Sequence, residues 1–260
     1  MGDRIVMMNN DNIISKETKL FGYIGEHAGA SSFSAKLNKL FKANGDDVMI
    51  IPMNIREDDL FFTVTNMKQS HVNGAVIATE YVEAMPEMMD DMSSIAKRSG
   101  MCDIVYKENG LLRGDIFSIR ALTEQLKDLF AMKVAIIGRG GYAKAFSFLS
   151  CGFEVSYFDE NLEELLAFTQ ELDIANADIN RIAYGMEVDL SSYDAVLDFS
   201  DFDLLSMITE MPKYALDMKN AKSFSALKQR AQELGSKYIG YDDMLDALTQ
   251  RAYDAIKLSK

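Results

Sequence analysis

The sequence predicts an α/β fold arranged as two domains, and three observations carry that expectation. Short apolar runs of strand character alternate with helix-periodic runs along the chain. A glycine-rich turn, GRGGYA at 138–143, separates one such strand run from a helical run. The 260 residues exceed the typical span of one domain, about 150 residues. With 48% hydrophobic and 26% charged residues, the composition is globular, which excludes a disordered chain.

Taken in order, residues 19–24 form a short apolar strand ending at Gly25, and 34–43 place Leu37, Leu40 and Phe41 on one helical face. A strand is expected at 48–53, a helix at 58–68, a strand at 74–79 and an amphipathic helix at 88–98. Residues 122–130 carry Leu122, Leu126 and Leu129 at helical spacing with no turn residue, so they read as a helix bridging two lobes. A second sheet opens with the nearly continuous apolar run 133–137, followed by a helix to Leu149. Further strands are expected at 154–158, 195–199, 214–217 and 238–240, with helices at 225–234 and 242–258. The alternation predicts parallel strands joined by crossover helices. Domain boundaries follow: 1–120 with 242–260, and 121–241.

Charge narrows the partners. Lys plus Arg number 27 against 40 for Asp plus Glu, a net −13, which repels a nucleic-acid backbone or an anionic bilayer. Neither partner is expected. No apolar run approaches the roughly 20 residues of a membrane helix, and the start MGDRIVMMNNDN lacks a leader's apolar core; a cytoplasmic protein is expected. Cys102 and Cys151 are too few for a disulfide framework and read as small buried hydrophobes. With only His27 and His71, no metal site is expected and a Ser-His-Asp triad is disfavoured. The methionines of MPEMMDDM at 85–92 read as core, and the carboxylates of DFSDFD at 198–203, Asp198 and Asp201 among them, as a solvated loop.

The run VAIIGRGGYAKA satisfies G-x-G-x-x-A directly after a strand and at the opening of a helix. Gly138 permits the tight turn, Gly140 lets backbone approach a pyrophosphate, and Ala143 lets the helix pack against the strand; Arg139, Gly141 and Tyr142 complete the cradle. Asp159 ends the next strand, 21 residues beyond Gly138, where a carboxylate accepts hydrogen bonds from the adenosine ribose. It also repels a 2′-phosphate, so NAD(H) is expected over NADP(H). The alternative is a plain βα turn with a solvated Asp159. The fold expectation becomes an N-terminal α/β domain plus a Rossmann-like dinucleotide-binding domain.

The order of parts resembles the shikimate and quinate dehydrogenases over nearly the whole chain. The resemblance rests on FGYIG at 21–25, Ser31, LNKLF at 37–41 with Asn38, Gly74, Ala96 with Gly100, LLRGD at 111–115, GRGGYAKA at 138–145, Asp217, Ala231 with Gly235, and GYDDML at 240–245. It implies a Lys and Asp couple that moves the hydroxyl proton during hydride transfer. At the lysine position stands Val82, and at the aspartate position Ser118. The resemblance also implies substrate contacts at Ser31, Phe33, Val76, Ala78, Val82, Ile116 and Leu248, with Asn220 where the family keeps a tyrosine. Most of these are apolar here, and hydroxyls stripped of water without a partner cost about 1–3 kcal/mol each. The ligand is therefore expected to be a small molecule other than shikimate, less hydroxylated or bearing a hydrophobic portion, with Tyr81, Glu80 and Ser118 the candidate proton-transfer groups and Asp103 and Asp115 nearby. A non-catalytic binding protein on the same scaffold is the competing expectation. A homodimer is also compatible with the sequence.

Overall fold

The computed structural model describes residues 6–8 and 12–258. Residues 1–5 and 9–11, within the start read as lacking a leader, lie outside the described residues. Two compact units divide the chain: Met1–Ala96, Cys102–Phe117 and Thr249–Lys260 form one, Lys97–Met101 and Ser118–Leu248 the other.

In the first unit, β1 (Val6–Met8) and β2 (Asn12–Ile14) pair antiparallel. There follow β3 (Lys19–Gly25), α1 (Phe33–Ala43), β4 (Val48–Asn54), α2 (Glu57–Asn66), β5 (Val72–Ile77), β6 (Asp91–Met92), α3 (Ser94–Ser99), β7 (Ile104–Glu108) and β8 (Leu111–Asp115). The sheet order is β4-β3-β5-β7-β8-β6. β4, β3 and β5 run parallel with crossover helices, whereas β7 is antiparallel to both β5 and β8. This corrects the wholly parallel expectation. Asn109 and Gly110 both take positive φ, 52° and 80°, the paired left-handed conformation that closes a tight hairpin. The expected helix at 88–98 also fails. The Asp90 carboxylate accepts from the Leu112 amide at 2.8 Å and from Lys68 Nζ at 2.7 Å, which draws Asp91–Met92 onto the edge of β8 and leaves only Ser94–Ser99 helical.

The second unit holds α4 (Ser118–Asp128), β9 (Lys133–Ile137), α5 (Gly141–Leu149), β10 (Glu154–Asp159), α6 (Leu162–Glu171), β11 (Asp178–Arg181), β12 (Val188–Asp189), β13 (Ala195–Asp198), β14 (Ile208–Glu210), β15 (Tyr214–Asp217), α7 (Ala226–Leu234) and β16 (Lys237–Ile239). The last helix, α8 (Leu245–Leu258), runs from this unit into the first. The main sheet is wholly parallel in the order β11-β10-β9-β13-β15-β16. Counted within the sheet this is 3-2-1-4-5-6, the Rossmann order. Val134, Ala135, Ile136 and Ile137 are fully buried, as strands covered on both faces must be. Helix α4 begins earlier than expected and lies in the second unit. No helix among the described residues is long and apolar enough to cross a membrane.

Candidate functional site

The turn after β9 is built by its glycines. Gly138 takes φ +90° and donates its N–H to Phe158 O at 2.8 Å; a Cβ there would lie 2.7 Å from Phe199 O and Ser200 N. Gly140 caps α5 in extended conformation, and no side chain caps the helix start. The first amides of α5 are therefore left for an anion, at the positive end of the helix dipole. Gly141 is needed for packing: a Cβ would meet Met101 and come within 3.0 Å of Ser99 O. Ala143 is fully buried, and the Tyr142 ring stacks on Phe199 with centroids 5.9 Å apart.

A pocket of about 440 Å³ opens here, within the usual range for ligand sites. Gly138, Arg139 and Gly140 form one wall, Asp159 and Glu160 a second, and residues 199–203 with Tyr184 the rest. It lies beyond the carboxyl ends of β9 and β13, where the strand order reverses and ligands of such sheets bind. Asp159 is nearly buried; Oδ1 accepts the Asn161 N–H at 3.0 Å and Oδ2 lies 3.4 Å from Arg139 Nε. Arg139 also pairs with Glu164. The cradle fits a dinucleotide: small residues where backbone must approach, uncapped helix amides, and a carboxylate at the end of β10.

Two neighbouring carboxylates were not legible as buried. Asp198 ends β13 at 2% exposure rather than in a solvated loop. Its Oδ1 accepts from Ser200 N at 3.0 Å and Ser200 Oγ at 2.6 Å, while Oδ2 has no hydrogen-bond partner among the described residues. Burial pushes its carboxyl up to about 6 despite the Ser200 bonds. Asp217, fully buried, ends β15; it accepts from Tyr238 Oη at 2.7 Å, Lys219 N at 2.9 Å and Ser225 Oγ at 2.6 Å. Both close short apolar strands, AVLD and YALD, and that position is the signal that could have found them.

No family model matches the chain. A curated shikimate dehydrogenase (NADP(+)) from Methanococcus maripaludis is 28% identical over 193 residues, covering 72% of this chain and 69% of the relative. The chain is a homologue of the shikimate dehydrogenases. The fold agrees: the Thermus thermophilus shikimate 5-dehydrogenase solved with NADP(H) and shikimate superposes with TM-score 0.70 at 18% identity, over 94% of each chain. The 5-ketofructose reductase of Gluconobacter sp. strain CHM43 gives 0.69 at 17% identity, over 95% of each.

In this shikimate dehydrogenase homologue the remaining expected site residues divide between the units. Ser31, Phe33, Val76, Ala78, Glu80, Tyr81, Val82 and Ile116 fall in the first, Ser118 and Leu248 in the second. Phe33 is fully buried and stacks on Tyr23 at 4.8 Å, and the half-buried Ser31 accepts the Phe33 N–H at 3.2 Å. Val76, Ala78, Val82 and Ile116 are buried, as is Leu248. Tyr81 is buried too, and its hydroxyl donates to Ile55 O at 2.7 Å. Burial, with the carboxylates of Glu26, Glu80 and Glu57, holds that phenol above its usual range. Glu80 is exposed and accepts the Glu26 N–H at 3.0 Å. Ser118 is buried at the start of α4. Asp103 is buried and accepts the Phe117 N–H at 2.7 Å, and Asp115 accepts that of Ile116 at 2.8 Å. Cys102 is buried as expected, but Cys151 is exposed; it follows the end of α5 in a surface turn.

Proposed function

We propose that the chain is a nicotinamide-dinucleotide oxidoreductase acting on a small molecule other than shikimate. The glycine-walled pocket carries this reading. In it the amides of Gly140, Gly141 and Tyr142 take the pyrophosphate and Asp159 takes the ribose hydroxyls, with Arg139 and Ala143 completing the turn. When bound, the cofactor supplies a hydride acceptor or donor for alcohol and ketone interconversion.

Phosphate selectivity has support on both sides. The relative from Methanococcus is named for NADP(+) and the Thermus enzyme was solved with NADP(H), which weighs toward NADP(H) as the family habit. This chain's own charges weigh toward NAD(H): Asp159, Glu160, Asp201 and Asp203 line the pocket, and the Arg139 guanidinium is held by two carboxylates. NAD(H) binding would thus be a departure from the relatives.

The substrate reading rests on the positions the family resemblance assigns. Val82 and Ser118 cannot serve as a Lys and Asp couple. Val76, Ala78 and Ile116 offer no side-chain partners to a polyhydroxylated ring, which disfavours shikimate by the penalty of unpaired hydroxyls. A protein of the same fold is named a 5-ketofructose reductase, so the scaffold is not tied to shikimate. Two hydrogen bonds favour a second reading, a binding protein without turnover: the Tyr81 hydroxyl donates to Ile55 O and Glu80 accepts the Glu26 N–H.

Absorbance at 340 nm with each cofactor, across hydroxy acids, alcohols, their oxo forms and shikimate itself, tests both. Turnover of a substrate other than shikimate supports the first reading and brisk shikimate turnover refutes it. Tight dinucleotide binding with silence across the panel favours the second.

A further inference from the structure

We propose that Glu164 determines cofactor selectivity by holding Arg139 away from a 2′-phosphate; the proposal rests on the dinucleotide reading of the pocket. Among the described residues lining the pocket, Arg139 alone carries positive charge. A phosphomonoester entering beside Asp159 and Glu160 would depend on that guanidinium, whose planar fork suits phosphate oxygens.

The guanidinium is already committed. It pairs with Glu164 through Nη2, and its Nε lies 3.4 Å from Asp159 Oδ2. Glu164 is fixed in turn from its other oxygen, where Oε1 accepts from Asn161 Nδ2 at 2.9 Å. Asn161 is the N-cap of α6, its Oδ1 accepting from Glu163 N at 3.1 Å and Glu164 N at 3.2 Å, and its own N–H bonds Asp159 Oδ1 at 3.0 Å. A closed ring of contacts thus joins the ribose carboxylate, the capping residue, Glu164 and Arg139. Glu164 sits in the first turn of its helix, where the dipole favours a negative charge. Arg139 and Glu164 are both substantially exposed, 40% and 52%, so their pairing contributes little to stability. It can be removed without unfolding the unit, yet it decides whether the cation is available to a ligand.

Calorimetric titration of the full chain with NAD(H) and NADP(H) tests this by affinity alone. The wild type is expected to bind NAD(H) more tightly. In Glu164→Gln the ratio of the NADP(H) to the NAD(H) dissociation constant should fall about tenfold. Glu163→Gln makes the same charge change one residue away and should shift the ratio less than twofold. Arg139→Ala added to Glu164→Gln should restore the wild-type ratio. A wild type that prefers NADP(H), equal shifts in the two glutamine variants, or a shift that persists without Arg139 each overturns the proposal while the dinucleotide reading stands. No binding of either cofactor by any of these proteins would overturn that reading and the proposal with it.

Discussion

Asp198 and Asp217 stand in register on adjacent parallel strands, one carboxylate with an oxygen lacking a partner among the described residues and the other with both oxygens bonded. Their unequal surroundings give opposite responses to mutation.

For Asp198 the folded state holds its proton up to about pH 6, whereas an unfolded chain releases it near the ordinary aspartate value, about 3.9. Between those limits the folded state binds more protons, so this group's contribution to stability is greatest at low pH and is lost as pH rises through 6. Asp198→Asn should therefore raise stability at pH 7.5 by about 1–3 kcal/mol, with the gain shrinking toward pH 5. Urea unfolding of both proteins at the two pH values checks it, and a pH-independent difference would refute it.

Asp217→Ala should do the reverse. The change leaves the hydroxyl donors of Ser225 and Tyr238 and the Lys219 amide without their carboxylate acceptor, a loss of about 3–5 kcal/mol for a broken buried network. A fall in the urea midpoint with an unchanged slope is the expected result.

Gly138→Ala and Gly140→Ala should separate folding from binding. At Gly138 the new Cβ meets backbone at 2.7 Å and the positive φ is lost to an L residue, so unfolding free energy should drop by about 1–3 kcal/mol. At Gly140 the backbone is extended and the nearest contact is 3.4 Å. That variant should melt near the wild type while dinucleotide affinity falls at least about tenfold, because the methyl group occupies the approach to the helix amides.

Tyr81→Phe distinguishes a proton donor from a structural hydroxyl. Removing the bond to Ile55 O should cost about 1–2 kcal/mol of stability. If any panel substrate turns over, kcat should change less than fivefold. A loss of several orders of magnitude would instead make Tyr81 the proton donor.

The second unit was the more legible half. Strands such as Lys133–Ile137 and Tyr214–Asp217 are unbroken apolar runs because both faces are covered, and their ends match the expectation. The hairpin of β7 and β8 went unread although Asn109-Gly110 is a strong turn signal. In β8 buried and exposed residues alternate, which weakens the apolar run that marked the other strands. At the candidate site the glycine turn and Asp159 were legible because their spacing is local. The burial of Asp198 and the grip on Arg139 were not, since both arise from contacts between separate loops and strand ends.

Because the stretch Thr249–Lys260 belongs to the first unit, that unit cannot be completed during synthesis until this stretch has left the ribosome. The second unit, continuous from Ser118 to Leu248 save for the short Lys97–Met101 piece, has all its residues earlier and is free to fold first. A stop codon near residue 248 would thus spare the second unit and leave the first without Thr249–Lys260.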